Sequence, residues 1–370
     1  MKHKFKYIHE LKDWQNFTFD YVRILPVLAK VRHKQGELLG KMASVGFDLQ
    51  TQNSLHNLTL DVIKSSEIEG EFLNAEQVRS SVARKLGLDI AGLVASDRNV
   101  DGIVEMMLDA TQQFKKPLSK ERLFGWHAAI FPAGRSGINK IAVGKWRKDE
   151  TGPMQVISGA LGKEKVHFQA PDANLLDIEM KKFIKWYNTK EESDQLIKAA
   201  MAHLWFVTIH PFDDGNGRIA RALTDMQLAR ADGLNQRFYS MSNQIRVERK
   251  VYYEMLELTQ KGTQNITEWI HWFLNCLFRA ITNSEIQAKD IFSKAKFWEH
   301  NKTTLFNQRQ IKMLNKWFDG LDGKLSSSKW AKMNKCSQDT ALRDIQDLLE
   351  KGILIKEEGG GRSTSYLVKD

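Results

Sequence analysis

The chain of 370 residues has little of what staples, punctuates or inserts a protein. Its two cysteines, Cys276 and Cys336, stand alone without metal-type spacing, which excludes a disulfide framework or zinc ribbon and suits a reducing, cytoplasmic setting. Six prolines and 24 glycines are too few for the turns of an all-β protein and leave long stretches free to be helical. Long hydrophobic runs are missing too. The longest, residues 199–212, falls short of the roughly 18 residues a membrane span needs, and the charged start at residues 1–4 leads into no apolar segment. Neither a membrane partner nor an export signal is expected.

What is present is charge and helical periodicity. Lysine and arginine number 55 against 45 acidic residues, a net charge of +10, in an otherwise ordinary soluble composition. The length predicts two or three domains, and disordered, collagen-like and coiled-coil classes are excluded. Over residues 1–98 apolar residues recur at helical spacing, as at Tyr21, Ile24, Leu25 and Leu28 and again at Leu58, Val62 and Ile63, which predicts an N-terminal helical region. Residues 99–286 continue in helices, interrupted at 144–168 by Gly152-Pro153, Met154-Gln155-Val156-Ile157 and Val166-His167-Phe168, read as a small β-hairpin. A linker helix is expected at 287–303. From 304 to 370, short helices give way to Ile353-Leu354-Ile355, a glycine-rich turn ending in Arg362, and Tyr366-Leu367-Val368, the pattern of a winged helix-turn-helix domain. The expected fold class is mostly α.

One segment carries more chemistry than the rest: His210-Pro211-Phe212-Asp213-Asp214-Gly215-Asn216-Gly217-Arg218-Ile219-Ala220-Arg221. Residues 195–209 before it read as an apolar helix with Ser193 as N-cap and Pro211 as its stop. Ile219, Leu223 and Met226 after it continue a helical stripe to Gly233. The segment is thus a loop between two helices, with Gly215-Asn216-Gly217 opening the second. A helix start offers unpaired N–H groups and a positive dipole end, and two glycines let a bulky anion approach. Arg218 and Arg221 share one face of that first turn, where cations are disfavoured by about 0.3–1 kcal/mol each, so an anion should compensate them. A phosphate chain would do so through paired guanidinium–oxygen hydrogen bonds. Asp214 is an oxygen ligand suited to a magnesium ion among phosphates, and His210 is suited to taking a proton near neutral pH.

The segment resembles the signature of the Fic family, His-x-Phe-x-Asp/Glu-Gly-Asn-Gly-Arg-x-x-Arg, at every fixed position, and the resemblance extends over about residues 99–286. It implies a Fic helical core that uses ATP and Mg²⁺ to transfer AMP to a hydroxyl of a target protein or of the chain itself. His210 would deprotonate that hydroxyl, and Asp214 would hold Mg²⁺. Gly215, Asn216 and Gly217 would hold phosphate oxygens, Arg218 and Arg221 would clamp the β- and γ-phosphates, and Phe212 would plug the loop into the core. The Gly-Asn-Gly form favours AMP transfer over phosphoryl transfer.

Upstream, Ser65-Ser66-Glu67-Ile68-Glu69-Gly70 reads as a helix end with Gly70 as its C′ residue, which puts Glu69 where the dipole disfavours a carboxylate. This mirrors the misplaced arginines, and the two violations would cancel if the helix end faced Arg218 and Arg221. The segment resembles the family's inhibitory motif Ser/Thr-x-x-x-Glu-Gly/Asn, which implies roles for Ser65, Glu69 and Gly70 and a pairing of Glu69 with Arg221 that keeps the γ-phosphate out. The stretch Gly144-Lys145-Trp146-Arg147 with Met154, Gln155 and Val156 resembles the family's flap, whose edge pairs with the target backbone as an added strand. Tyr252-Tyr253 resembles the paired tyrosines that line the adenine pocket in relatives, which implies that role for Tyr253, and Gln260 stands where some relatives place an asparagine against adenine.

In the C-terminal module, Ser337 should cap a helix running to Lys351 with Leu342, Ile345, Leu348 and Leu349 inward. Lys332, Lys335, Gln338, Thr340, Arg343 and Arg362 are candidate DNA contacts, against which Asp339, Asp344, Asp347 and Glu350 load the same helix with carboxylates. The expected function is an autoinhibited protein adenylyltransferase. The alternative is a DNA-binding transcriptional regulator whose Fic core senses a nucleotide, and a homodimer is a candidate assembly for either.

Overall fold

Helices make most of the molecule, and they fall into two units, Met1–Glu285 and Ile286–Asp370. The computed structural model describes residues 6–88, 93–150, 152–159, 163–190, 194–318, 321–357 and 364–369. In the first unit a 3₁₀ turn at Ile8–Glu10 precedes α1 (Tyr21–Ala43), α2 (Phe47–Ile68), α3 (Ala75–Lys85), α4 (Arg98–Gln112) and α5 (Lys120–Ile130). Two short antiparallel ribbons follow, β1 (Arg135–Ser136) with β2 (Asn139–Lys140) and β3 (Gln155–Ser158) with β4 (Lys165–Gln169). Then come α6 (Leu176–Asn188), α7 (Gln195–Ile209), α8 (Asn216–Asp232), α9 (Met241–Val247), α10 (Arg249–Gln260) and α11 (Thr267–His300), whose residues from 286 on belong to the second unit. The hairpin is shorter than the sequence suggested, and α11 runs unbroken through residue 286, where a change of element was expected.

The core of this unit is the hairpin of α7 and α8, joined by residues 210–215. In α7 nearly every residue from Leu196 to Ile209 is buried, as befits a helix apolar on all sides. Ser193 lies outside the described residues; Asp194 caps α7, its carboxylate accepting from the Leu196 amide at 2.8 Å. The inward stripe of α1 is Ile24, Val27, Leu28 and Val31, whereas Tyr21 and Leu25 are about half exposed, so that periodicity was read one step out of phase. Helix α2 buries an unusual number of polar side chains, among them Asn53, Asn57, Asp61, Ser65 and Ser66, and packs on α9, α3, α4 and α8. Buried polar groups need partners, and here Asn57 bonds Asn53, Asp61 accepts from Ser240 and Ser65 accepts from Arg221. Among the described residues no helix is long and apolar enough to cross a membrane.

The second unit holds α12 (Gln308–Phe318), β5 (Leu325–Ser326), α13 (Ser327–Asn334), α14 (Gln338–Glu350), β6 (Leu354–Lys356) and β7 (Ser365–Val368), with an antiparallel sheet in the order β5-β7-β6. Its core gathers Met313, Leu314, Trp330, Ile345, Leu348 and Tyr366. Ser337 caps α14, accepting from the Thr340 amide at 3.2 Å. The inward face of α14 is Ala341, Asp344, Ile345 and Leu348, and Leu342 is exposed, contrary to expectation. Asp344 is drawn inside because Arg309, Asn307 and the Trp330 indole all donate to its carboxylate. Arg362 and the glycines before it lie outside the described residues.

Candidate active site

The site grows from the loop between α7 and α8. Pro211 cannot extend a helix, and His210 closes α7 in the left-handed region, at φ 51° and ψ 59°. Its Nδ1 lies 3.2 Å from the Val207 carbonyl oxygen, which can only accept, so Nδ1 carries the proton and Nε2 keeps the lone pair. Burial, followed by the nearby Arg147 charge, lowers the His210 pKa below the ordinary imidazole value. Phe212 is fully buried and stacks on His127 with centroids 4.2 Å apart. The His127 Nδ1 accepts from the Gly144 amide at 3.1 Å, so its Nε2–H donates to the Asp214 carbonyl, at 3.2 Å. Burial lowers the His127 pKa to about 4, so the ring is neutral and its two hydrogen bonds have fixed roles. Asn216 completes the brace: its side chain accepts from the Phe212 amide at 3.0 Å and donates to the Phe212 carbonyl at 2.8 Å. The Asn216 side chain therefore braces the loop, a role the sequence did not suggest.

Helix α8 begins with Gly215 at φ 79°, where an added Cβ would meet Ile130 and Phe131 at under 3 Å. Asp214 accepts from the Gly215 amide at 2.6 Å and from the Ser136 hydroxyl. Arg218 and Arg221 are almost wholly buried, at 5% and 1% exposed, which no guanidinium tolerates unpaired. Even so, among the described residues Arg218 Nε and Arg221 Nη1 are buried without a hydrogen-bond partner.

The groups that do pair them come from the end of α2. The Gly70 amide donates to Glu67 and the Glu71 amide to Ser66, a Schellman turn with Gly70 at φ 86°. Arg249 donates to the terminal Ile68 carbonyl at 2.7 Å, a cation at the negative end of the helix. This turn aims two carboxylates at α8. Glu69 Oε1 lies 2.8 Å from Arg221 Nη2, and Arg221 also donates to the Ser65 hydroxyl and carbonyl at 2.8 Å each. Glu71 Oε2 lies 2.5 Å from Arg218 Nη1. A Cβ on Gly217 would stand 2.0 Å from Glu69 Oε1, so the carboxylate fills the space over the helix start that an anion would take.

Glu69 and Gly217, but neither Arg218 nor Arg221, line a cavity of about 560 Å³ that runs from His210 and Asp214 to Tyr253, Leu256, Glu257 and Gln260, with residues 154–158 along one side. Tyr253 donates toward Glu69 Oε2 at 3.3 Å, whereas the Tyr252 hydroxyl turns into the core against His203. Gln260 is buried and bonds Thr208. In the hairpin, Gln155 pairs with Gln169 and Val156 with Phe168, and a bulge then leaves His167 unpaired and turned toward Glu257, 2.6 Å away. Met154 packs with Tyr7 and Phe168 at the hairpin's base. Gly144-Lys145-Trp146-Arg147 lies outside the hairpin; Arg147 instead ties residues 210 and 211. A larger open groove of about 670 Å³ between α3, α4 and α5 has its Arg122 and Trp126 donors spent on Asp109.

Residues 117–228, which hold the whole loop and the start of α8, match the family model described as Fic/DOC family. The chain carries a Fic domain. Residues 7–88, ahead of it, match a model described as a domain of unknown function, DUF4172. The chain is 32% identical over 108 residues to the protein adenylyltransferase Fic of Drosophila ananassae, covering 29% of this chain and 20% of that protein. It is 24% identical over 226 residues to the protein adenylyltransferase Fic of Drosophila melanogaster, covering 58% of this chain and 39% of that one. The chain thus spans less than two fifths of the length of these curated relatives. A crystal structure of a Fic family protein from Desulfovibrio desulfuricans G20 superposes with a TM-score of 0.51 at 18% identity, over 96% of this chain and 98% of that one, and shares the fold.

In the Fic domain the structure brings together His210, Asp214, Gly215, Gly217, Arg218 and Arg221, and the N-terminal helix end brings Ser65, Glu69 and Gly70 to them. Tyr253, Gln260, Met154, Gln155 and Val156 line the same cavity. Lys332, Lys335, Gln338, Thr340 and Arg343 lie in the second unit, on α13 and α14 and the turn between them. Glu71, His127 and Ser136 were not singled out from the sequence, and Arg147 was named only as part of the flap. For Glu71 a signal existed: it follows the motif's glycine by one residue, where a Schellman turn returns the chain.

Proposed function

We propose that the Fic domain transfers AMP from ATP to a hydroxyl side chain of a target protein or of the chain itself, with Glu69 holding it inactive. The observation that carries this reading is the pair of buried guanidiniums at a glycine-rich helix start, each with an N–H still lacking an acceptor, beside an imidazole whose lone pair is on Nε2. Such a cradle suits the oxygens of a polyphosphate. His210 Nε2 takes the hydroxyl proton, the oxygen bonds to the α-phosphorus, and the bond to the bridging oxygen breaks to release pyrophosphate. The exposed strand β3 aligns the target as an added strand.

One carboxylate beside a phosphate site is the donor set that suits Mg²⁺, which takes most of its ligands from phosphate and water. Asp214 is the residue that would hold it, and the ion would neutralise charge developing on the departing phosphates. Asp214 keeps unused acceptor capacity beyond its bonds to Gly215 and Ser136, so the residues present fit the ion.

The test uses the Glu69→Gly variant with ATP labelled at the α-phosphate. Covalent label is expected on protein, at least about tenfold above the parent chain, which corresponds to 1.4 kcal/mol of relieved inhibition. Label should vanish when His210→Ala is added. No label from Glu69→Gly on any protein in a cell extract, the chain included, sinks the reading.

The second unit supports a further role in contacting nucleic-acid phosphates. Asp344 and Asp347, which seemed to load α14 with negative charge, are instead held by Arg309, Gln310 and Lys351. Gln338, Arg343, Lys332 and Lys335 remain on its exposed surface. Duplex DNA binding that weakens steeply with salt is expected, and an affinity indifferent to salt excludes phosphate contacts.

A further inference from the structure

The inhibitory motif accounts for one carboxylate on one arginine, yet the structure holds two on two. Arg218 is buried, its guanidinium carbon lies over the Phe131 ring at 4.9 Å from the centroid, and its salt bridge is with Glu71 Oε2 at 2.5 Å. The Glu71 side chain is about two fifths exposed and that of Glu69 about a third, and Glu69 also meets the Tyr253 hydroxyl and lies over Gly217. The Schellman turn explains the geometry. With Gly70 left-handed, the residues on either side of it project toward the same end of α8, one to each guanidinium. Arg218 and Arg221 together therefore carry two carboxylates separated by a single glycine.

We propose that Glu71 is a second determinant of donor binding: with Glu69 it forms a two-carboxylate occupant of the polyphosphate cradle, Glu69 on Arg221 and Glu71 on Arg218. Donor entry then needs both to leave, and the cradle selects ligands that bring two adjacent anionic groups. Releasing Glu69 alone frees only the inner subsite. A buried guanidinium stripped of its carboxylate is costly, so each displaced glutamate must be replaced by a ligand anion. A lone phosphate compensates one arginine, while a pyrophosphate unit compensates both. The proposal rests on the adenylyltransferase reading only in naming the physiological ligand a nucleoside triphosphate.

The experiment is calorimetric titration of the full chain with ATP and with inorganic pyrophosphate, for Glu69→Gly and for Glu69→Gly/Glu71→Gln. Glutamine keeps the shape of Glu71 and removes its charge. The double variant should bind pyrophosphate and ATP more tightly than Glu69→Gly by about three- to tenfold, between the worth of an exposed and a buried pair. Inorganic phosphate should gain less. Glu69→Gly/Glu71→Ala should shift in the same direction, and both double variants should show a larger rise in unfolding temperature on adding pyrophosphate than Glu69→Gly does. Equal affinities in Glu69→Gly and the double variants overturn the proposal. Binding is read here without turnover. Tightened binding with no AMP transfer would sink the adenylyltransferase reading and leave the role of Glu71 standing; transfer with unchanged binding would sink the role of Glu71 alone.

Discussion

Arg147 is tied to His210 through the backbone: its Nε donates to the His210 carbonyl oxygen at 2.8 Å. Its own amide donates to the Pro211 carbonyl at 2.9 Å, and the rest of the guanidinium reaches Asp149 and the Pro171 carbonyl. One buried side chain thus fixes the loop before the motif's glycines. Replacing it with methionine, which keeps most of the volume, leaves Asp149 and two carbonyls uncompensated. Arg147→Met should lower unfolding stability by about 3–5 kcal/mol and abolish AMP transfer in the Glu69→Gly background. Denaturant titration checks the first part, and an unchanged midpoint contradicts it.

Asn216→Ala separates bracing the loop from gripping the donor. Both polar ends of the side chain bond the Phe212 backbone in a buried setting. The variant should lose about 2 kcal/mol of stability with no nucleotide present, because a buried amide and carbonyl are left unpaired. If stability without nucleotide is unchanged and only ATP affinity falls, the side chain serves phosphate after all.

The pH dependence of AMP transfer should carry the mark of a depressed histidine. With the His210 pKa held below its ordinary value, the neutral base predominates at pH 7. Transfer by Glu69→Gly, taken as kcat/KM, should be level through pH 7 to 8 and fall only on the acid side of pH 6.5. An acid-limb midpoint above 6.5 would show that the loop raises the pKa instead.

Stability should weaken on acidification for a related reason. His203 is fully buried, bonded to Thr224 and Tyr252, and burial lowers its pKa to about 3. Between that value and 6.5 the unfolded chain binds the extra proton, so stability is full above pH 6.5 and is lost as pH falls through the window. His203 alone should account for about 2 kcal/mol lost between pH 7 and pH 5. His203→Gln, less stable at pH 7, should show a correspondingly shallower loss on the way to pH 5, measured by unfolding at each pH.

What the sequence made legible was local. The stop at Pro211, the helix end at Gly233 and the Gly70 turn are each set by one residue's backbone preference, and each stands where expected. The mismatch between the charges of Glu69 and Arg221 and their helix ends was also legible, because it is a violation that only a partner removes. The partners from afar were not. Arg147, His127 and Ser136 reach the loop across 63 to 87 residues of chain, and nothing in their own neighbourhoods marks them. The bracing role of Asn216 was not legible, because phosphate and a loop carbonyl ask the same chemistry of an amide. Asp344 was misread because helical periodicity cannot tell a solvated carboxylate from one drawn inward by an arginine on another helix.

The left-handed backbone at His210 has a last consequence. A side chain with a Cβ sits there against its own conformational preference, at an expense of roughly 1–2 kcal/mol that glycine would not incur. On local grounds the architecture would therefore gain from losing its imidazole. A chain with glycine at 210 should therefore keep its shape and lose only what the imidazole is proposed to do.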